Sequence, residues 1–290
     1  TLTGPATPAD FETAIQAVTF SNSSDTPDTT DRTIQIVVND GEADSTIATT
    51  TVTVEATNDA PTIDLDADDS TETGTGFFDS YLEDQTPANI ADADVTITDA
   101  EDDDIASATI TLTNKQTGDV LTVGTLPGGI TSGTVESATQ IVVTLSGTAS
   151  KADYQTALQA ITYSTVNETP PTTRRLFDVV VNDGSDDSAA ARAEVSVASV
   201  DDDPILDLDA SGAGSDFSTS FTEGAGVVAV TDTDVSVTDT DSANVSGATF
   251  TLTNRKDGDV LAAGSLPTGI SASTSQDTNT FTLTLSGVAS

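Results

Sequence analysis

The sequence predicts an all-β chain built from tandem β-sandwich domains, on three observations. Runs of β-branched residues alternate with polar ones, as in Thr33-Ile34-Gln35-Ile36-Val37-Val38 and from Thr51 to Val54. The first of these runs ends in Asn39-Asp40-Gly41, where Asp-Gly suits a tight hairpin turn because glycine tolerates positive φ. The chain also repeats itself. Thr1-Leu2-Thr3-Gly4 returns as Thr144-Leu145-Ser146-Gly147 and as Thr284-Leu285-Ser286-Gly287, a period of about 140 residues and the size of one domain. Val38-Asn39-Asp40-Gly41 returns as Val181-Asn182-Asp183-Gly184, and Asp59-Ala60-Pro61 as Asp202-Asp203-Pro204. Thr111-Leu112-Thr113-Asn114 and Gly118-Asp119-Val120-Leu121 return as Thr251-Leu252-Thr253-Asn254 and Gly258-Asp259-Val260-Leu261.

The natural boundary is Asn58-Asp59-Ala60-Pro61 and its copy at 201–204, where proline stops a strand ladder and a new alternating run begins. That phasing makes 1–61 the C-terminal part of one repeat, 62–203 a complete repeat and 204–290 the N-terminal part of the next. The other phasing, 1–145 and 146–290, would cut at the end of a continuous strand, Ile141–Leu145. The chain opens in mid-pattern at Thr1 without an initiator methionine, which suggests a piece of something longer. Within the complete repeat, strands are expected near 62–66, 78–82, 93–98, 106–113, 134–145, 161–164, 173–182 and 190–199. One short helix interrupts them. Ser150 with Asp153 forms a capping-box pattern, and Tyr154, Leu158 and Ile161 follow at helical spacing. In the first copy Thr7 caps, Pro8 takes the first helical position and Asp10 the third, with Phe11, Ile15 and Val18 on the apolar face. So short a helix is marginal alone, so its aromatic and aliphatic face is expected in the core.

Composition excludes most function classes. Eight Lys+Arg against 48 Asp+Glu give a formal net charge of −40, which opposes phosphate backbones and anionic lipid alike, so neither nucleic acid nor membrane is an expected partner. The chain has no His, Cys, Met or Trp, which removes imidazole bases, thiol nucleophiles, disulfides and zinc knuckles, and it is not expected to be an enzyme. No apolar run reaches the ~20 residues of a membrane helix. High charge with abundant Ser and Thr is compatible with disorder, but 36% hydrophobic residues in patterned runs indicate folded β-structure.

The acids cluster, at Asp64–Asp69, Asp92–Asp104, Asp201–Asp209 and Asp232–Asp241. Packing so many like charges is costly unless a cation neutralises them. Oxygen ligands without His or Cys select hard cations, Ca²⁺ ahead of Mg²⁺. The EF-hand loop pattern is absent, so ligands must come from separate segments. Asp40-Gly41 and Asp183-Gly184 are read as hairpin turns in preference to ligands. Asp64/Asp66 and Asp207/Asp209 alternate with apolar residues and fit a ligand pair or the wet face of a first strand equally.

Val/Thr-rich strands, a glutamate after an early strand, a D-x-D/E segment after the next and an N-D-x-P boundary resemble cadherin-like repeats. With Leu-Ser-Gly-Thr-Ala-Ser, Ala-Asp-Tyr-Gln and Val-Asn-Asp-Gly, the whole chain resembles the tandem immunoglobulin-like repeats of giant, type I-secreted bacterial surface adhesins. The resemblance implies Greek-key β-sandwiches in an elongated rod, extracellular or at the cell surface, with Ca²⁺ at the junctions and neighbouring repeats as partners; lateral self-association is left open. The family's D-x-N-D-N linker falls on 56–60, where Asn58 and Asp59 survive, and on 199–203, where Asp201 and Asp202 carry the acids. Its glutamate between the first strands matches Glu83 and Glu223, and its D-x-D matches Asp99/Glu101 and Asp239/Asp241. Its D-R-E motif matches Asp31-Arg32-Thr33, but the next copy reads Arg174-Arg175-Leu176 and has lost the acid. The resemblance thus places Asn58, Asp59, Glu83, Asp99 and Glu101 together at the first junction, with Asp31 from the preceding repeat. It places Asp201, Asp202, Glu223, Asp239 and Asp241 together at the second.

The function expected from this is a calcium-rigidified spacer in cell adhesion and biofilm. Alternatives are a glycan-binding sandwich, for which 4% aromatics and no Trp provide little platform, a hydrolase using paired carboxylates, and plain halophilic acidity.

Overall fold

The computed structural model describes residue 4 and residues 6–287; the Thr1-Leu2-Thr3 copy of the repeat motif lies outside the described residues. The chain is mostly β-sheet, 36% strand and 6% helix, in several separate sheets. In chain order the elements are α1 (Pro8–Gln16), β1 (Arg32–Ile36), β2 (Ala48–Val52), β3 (Thr62–Asp64), β4 (Phe77–Leu82), β5 (Ala88–Asn89) and β6 (Thr96–Thr98). They continue with β7 (Asp104–Leu112), β8 (Asp119–Val123), β9 (Thr131–Glu136), β10 (Ile141–Ser150), α2 (Lys151–Gln159), β11 (Ile161–Thr165), β12 (Arg175–Asn182) and β13 (Ala191–Ala198). The last are β14 (Ile205–Asp207), β15 (Ser236–Thr238), β16 (Gly247–Leu252), β17 (Ser271–Gln276) and β18 (Phe281–Ser286).

The large core lies between Ile63 and Val197. A six-stranded sheet in the order β4-β13-β12-β7-β10-β9 covers one side, a three-stranded sheet β5-β11-β8 the other, and the pair β3-β6 completes the group. All pairings are antiparallel except β4 with β13, which run parallel from Phe77↔Ala193 to Leu82↔Ala198. Strict alternation explains why these runs became strands: along β12 every second residue, from Arg175 to Val181, is buried. Ser150 and Asp153 cap α2, which buries Tyr154, Ala157 and Leu158 against the sheets. The Tyr154 hydroxyl donates to the carbonyls of Ala106 (2.9 Å) and Gly147 (2.7 Å), so the helix is pinned as well as packed.

The strands differ from the sequence expectation in three places. The run 134–145 is two strands, because Ser137 closes a turn without Gly or Pro: its N–H donates to the Gln140 carbonyl (2.9 Å) and its Oγ accepts from the Gln140 N–H (3.1 Å). Strands β5 and β8 were not anticipated; both are short and gain their pairing only through β11. Ile161, also read as the end of the helix face, belongs instead to β11, the strand expected near 161–164.

The flanking segments hold fewer paired strands. Helix α1 has the full capping box of Thr7 and Asp10 with Pro8 in its first turn, yet buries no residue; β1 and β2 form a hairpin. After residue 203, β14 pairs with β15, and β16-β18-β17 make a three-stranded sheet.

One ion pair is buried whole in the core. Arg175 and Asp119 form an ion pair (Nε to Oδ2, 2.7 Å) with neither side chain exposed. Asp119 also accepts from the Tyr163 hydroxyl (2.7 Å) and the Gln116 N–H (2.7 Å), and Arg175 donates to the carbonyls of Pro171 (3.0 Å) and Thr173. Tyr163 in turn packs edge-on between Tyr81 and Phe177, with centroids 5.6 and 5.8 Å away. Removing one partner strands the other charge in the interior. Asp119→Ala is expected to destabilise the cooperative unit by about 3–5 kcal/mol, whereas an exposed pair such as Arg192–Asp178 should cost about 1 kcal/mol or less; chemical denaturation of the two variants checks this.

Candidate metal centres at the linkers

The two ends of the 62–203 segment carry the acids that matter, and strand direction decides which acid goes to which end. Strands β7 and β12 meet at Asn182↔Ser107, so the loop 99–103 before β7 and the hairpin 183–187 after β12 share one end. Strand β13 leaves at the opposite end, and β4, running parallel to it, arrives there too.

At the first end the linker residue Asn58 donates through Nδ2 to Asp183 Oδ2 (3.0 Å) and Asp186 Oδ2 (2.8 Å). The Asp59 N–H donates to Glu101 Oε2 (3.3 Å). Asp99 Oδ1 accepts from the N–H groups of Glu101 (3.0 Å) and Asp102 (2.9 Å), which fixes the acidic loop around its own first residue. Asp99, Asp102 and Asp183 then bring carboxylate oxygens within 4.8 Å of one another. Two oxygens here, Asp99 Oδ2 and Glu101 Oε1, are buried without any hydrogen-bond partner.

At the opposite end Glu83 is buried; its Oε2 accepts from the Val200 N–H (2.9 Å), its N–H donates to the Ala198 carbonyl (3.0 Å), and its Oε1 has no partner. Asp84, Glu168 and Asp202 place carboxylate oxygens within 4.8 Å of one another. The Asp202 N–H donates to Asp241 Oδ2 (3.2 Å), and Asp239 Oδ1 accepts from the N–H groups of Asp241 (3.2 Å) and Ser242 (2.7 Å). This repeats the Asp59–Glu101–Asp99 arrangement one period later. Asp202 Oδ2 and Asp241 Oδ1 are again buried without partners.

The structure therefore brings Asn58, Asp59, Asp99 and Glu101 together, and Asp202, Asp239 and Asp241 together. Glu83 does not join Asp99. The parallel β4–β13 pairing sends it to the second linker, a placement that the order of motifs along the chain did not reveal. Glu223, its counterpart, lies exposed at a turn closed by Ala225 N–H to the Thr222 carbonyl and enters no carboxylate grouping among the described residues. Asp31 and Asp201 are exposed and enter no carboxylate grouping among the described residues.

Sequence reasoning missed Asp84, Asp102, Glu168, Asp183 and Asp186. Asp183 was assigned to a hairpin turn, and it does hold one: its Oδ1 accepts from the N–H groups of Ser185 (2.6 Å) and Asp186 (2.8 Å). Its other oxygen faces the linker, so turn and site are one feature. The signal for Glu168 was the acid Asp25 at the matching position of the preceding copy.

Two further groupings, Asp66/Asp68/Asp94 and Asp209/Asp232/Asp234, join the loops that follow β3 and β14 to the residues just before β6 and β15. Asp66 is fully buried but satisfied, accepting from the N–H and hydroxyl of Ser70 (3.0 and 3.1 Å), the N–H and hydroxyl of Thr71 (both 2.6 Å) and the Glu72 N–H (3.0 Å). Those donors, the Thr71 hydroxyl first, hold its carboxyl well below the usual range. It organises a loop and offers no idle oxygen.

Electrostatics separates the linker acids from such structural ones. Burial, then the charges of Asp59 and Asp99, pushes Glu101 above the usual range. Burial, then Asp241 and Asp84, does the same to Asp202; the charge of Asp84, then burial, raises Glu168. At Asp183 burial pushes upward, but hydrogen bonds from Asn58, Asp186 and Ser185 outweigh it and leave the carboxyl below its usual value. No known family model matches the chain, and no curated protein matches it. Among the described residues no helix is long and apolar enough to cross a membrane.

A carboxyl raised in the folded state opposes folding once it is charged, so its penalty is absent below the unfolded value and grows as pH rises through the folded one. In chelator, the melting temperature should therefore rise as pH falls from neutral towards the ordinary carboxylate values of 3.8 and 4.5, and drop again below them as Asp183 and Asp66 are protonated. Glu101→Gln should flatten the rise. A steady loss of stability from neutral pH downward, in melts with chelator, would contradict this.

Proposed function

We propose that the chain is a run of calcium-binding, cadherin-like Greek-key repeats that act as an extracellular extender in a large bacterial adhesin. In this reading 62–203 is a complete repeat, 1–61 the C-terminal part of the one before and 204–290 the N-terminal part of the one after. The observation that carries it is the set of five buried, unpartnered carboxylate oxygens, on Glu83, Asp99, Glu101, Asp202 and Asp241, all at the linkers. A buried oxygen with no donor costs roughly 1–3 kcal/mol, and more when charged, so five at two sites ask for a cation. Carboxylate, amide and carbonyl oxygens from separate loops suit the irregular shell of Ca²⁺ better than the strict octahedron of Mg²⁺.

The chemistry is binding alone. The residues around the linkers are acids, the Asn58 amide and, at the first linker, Lys151, whose Nζ donates to the carbonyls of Asp99 (3.3 Å) and Asp102 (2.8 Å); the net charge of −40 opposes nucleic acid and anionic lipid. Tyr81, Tyr154, Tyr163 and Phe177 are buried in the core, so they form no platform for a sugar ring. Each linker joins its own backbone to a loop of the segment that follows, Asp59 to Glu101 and Asp202 to Asp241, so an ion there ties consecutive repeats. Extracellular modules bind Ca²⁺ with Kd of about 10⁻⁴–10⁻³ M, and one ion at tenfold excess over Kd adds roughly 1.4 kcal/mol by mass action.

Calorimetric titration with Ca²⁺, paired with melts in calcium and in chelator, tests the reading. Calcium should bind and raise the melting temperature, with Mg²⁺ a weak substitute. Glu101→Gln should remove the response of the first linker and Glu83→Gln that of the second, and the two together should abolish it. Absence of calcium heats, with an unchanged melt, would sink the proposal.

A further inference from the structure

One pairing in the large sheet is not the choice that stability alone favours. β4 lies parallel to β13, in register from Phe77↔Ala193 to Leu82↔Ala198, while the other pairings of that sheet are antiparallel. A parallel pair is slightly less stable per residue. What it changes is the direction in which the two strands can be pulled. The chain reaches this segment through the linker at Asn58 and Asp59, held against Asp183, Asp186 and Glu101 at the first end. It passes through β3 and enters β4 at Phe77. It leaves by β13, which runs to the opposite end, where the Val200 N–H meets Glu83. Along the chain, the first and last strands of the large sheet are thus neighbours whose entry and exit ends face opposite poles.

Tension between the linkers draws β4 by its N-terminal end and β13 by its C-terminal end, along the strand axes and in opposite senses. The evenly spaced bonds of a parallel ladder then share the load and must slip together. Pulled across the strands, the same ladder would open bond by bond from the nearer end. β4 is the edge of the sheet, and β13 is its only ladder partner among the described residues. Both faces of β4 are gripped as well. Phe77 and Tyr81 are buried in the core, and the Tyr81 hydroxyl donates to the Thr165 carbonyl (3.4 Å) while its ring meets Tyr163 edge-on. On the other face the Arg174 guanidinium lies 4.9 Å from the centre of the Phe78 ring. It also donates to Glu194 (2.8 Å), the residue paired with Phe78. On its far side β13 is held by β12 from Ala191 to Val195. β3, by contrast, pairs with β6 over Thr62–Asp64 alone.

We propose that the β4–β13 pair is a tension clamp, and that the segment 62–203 carries mechanical load from one linker to the other through shear of this ladder. The load comes from the extender role proposed above, and for its source the clamp rests on that reading; the ladder itself needs no ion. Forced unfolding is governed by the barrier to unfolding and not by equilibrium stability. Resistance should therefore depend on the direction of pull, which a melting temperature does not register.

The chain has no cysteine, so paired substitutions place the handles of a single-molecule force measurement at chosen points. Ala60→Cys with Ser199→Cys loads the ladder along its axis. Leu82→Cys with Ser199→Cys loads it across, at the end where Leu82 pairs with Ala198. All three positions are exposed. Full-length chains carrying either pair are melted in bulk and then pulled in chelator at one rate. Both should melt as wild type does, and the axial pair should need a severalfold higher force to unfold. Ser80→Cys, also exposed, takes the place of Leu82→Cys if the latter lowers the melt. Equal forces in the two directions, or a higher force across the strands, would overturn the proposal. Equal forces would leave the extender reading to its calcium titration, and a failed calcium titration would leave the directional result standing.

Discussion

Burying carboxylates side by side is the constraint on which the rest of this structure depends. Three solutions to it coexist in one chain. Asp119 is met by the Arg175 guanidinium and the Tyr163 hydroxyl, so a full ion pair sits in the core with both charges matched. Asp66 is met by five hydrogen bonds from three consecutive residues. The linker acids are held by one oxygen each and left idle at the other, as at Asp99, Glu83 and Asp241. In the first two arrangements both carboxylate oxygens have donors, although Arg175 Nη2 is buried without a partner. The third leaves oxygens idle that could hold a cation, and it recurs from Glu101 to Asp241 in the next copy.

The sheet topology is what turns those acids into sites. Antiparallel β7 and β12 set the loop 99–103 and the hairpin 183–187 at one end, where Asn58 can bridge to Asp183 and Asp186. The single parallel pair, β4 with β13, carries Glu83 to the other end, onto the backbone of Val200. Each end is thus a rim of oxygen ligands facing a linker with little apolar surface of its own. Lys151 on the carbonyls of Asp99 and Asp102 offsets part of the repulsion at the first end, and a divalent ion, in the reading proposed, would turn the remaining like charges into the joint.

Much of this was legible in the sequence, and the residues show why. Alternation and Asp-Gly turns identify strands because a half-buried strand has period two and a two-residue hairpin needs positive φ. Ser150 with Asp153 and Thr7 with Asp10 mark the helices through capping chemistry that is local by nature. The pairs Asp59/Glu101 and Asp202/Asp241 were anticipated through the resemblance to cadherin-like repeats, whose linker and D-x-D motifs they match. What local pattern cannot carry is strand direction. Whether Glu83 faces the first linker or the second depends on β4 lying parallel to β13, a contact between residues more than 110 positions apart. Asp183 was hidden differently: its turn role explains one oxygen so well that the second went unasked. The turn at Ser137–Gln140 escaped because a serine replaced the usual glycine.

The central claim is that ions at the linkers convert a jointed chain into a stiff one. Small-angle scattering of the chain, at low concentration with calcium and then with chelator, measures that directly. The account predicts a longer, sharply defined maximum dimension in calcium and a shorter, broadened distance distribution in chelator. Superimposable distributions in the two conditions would contradict it.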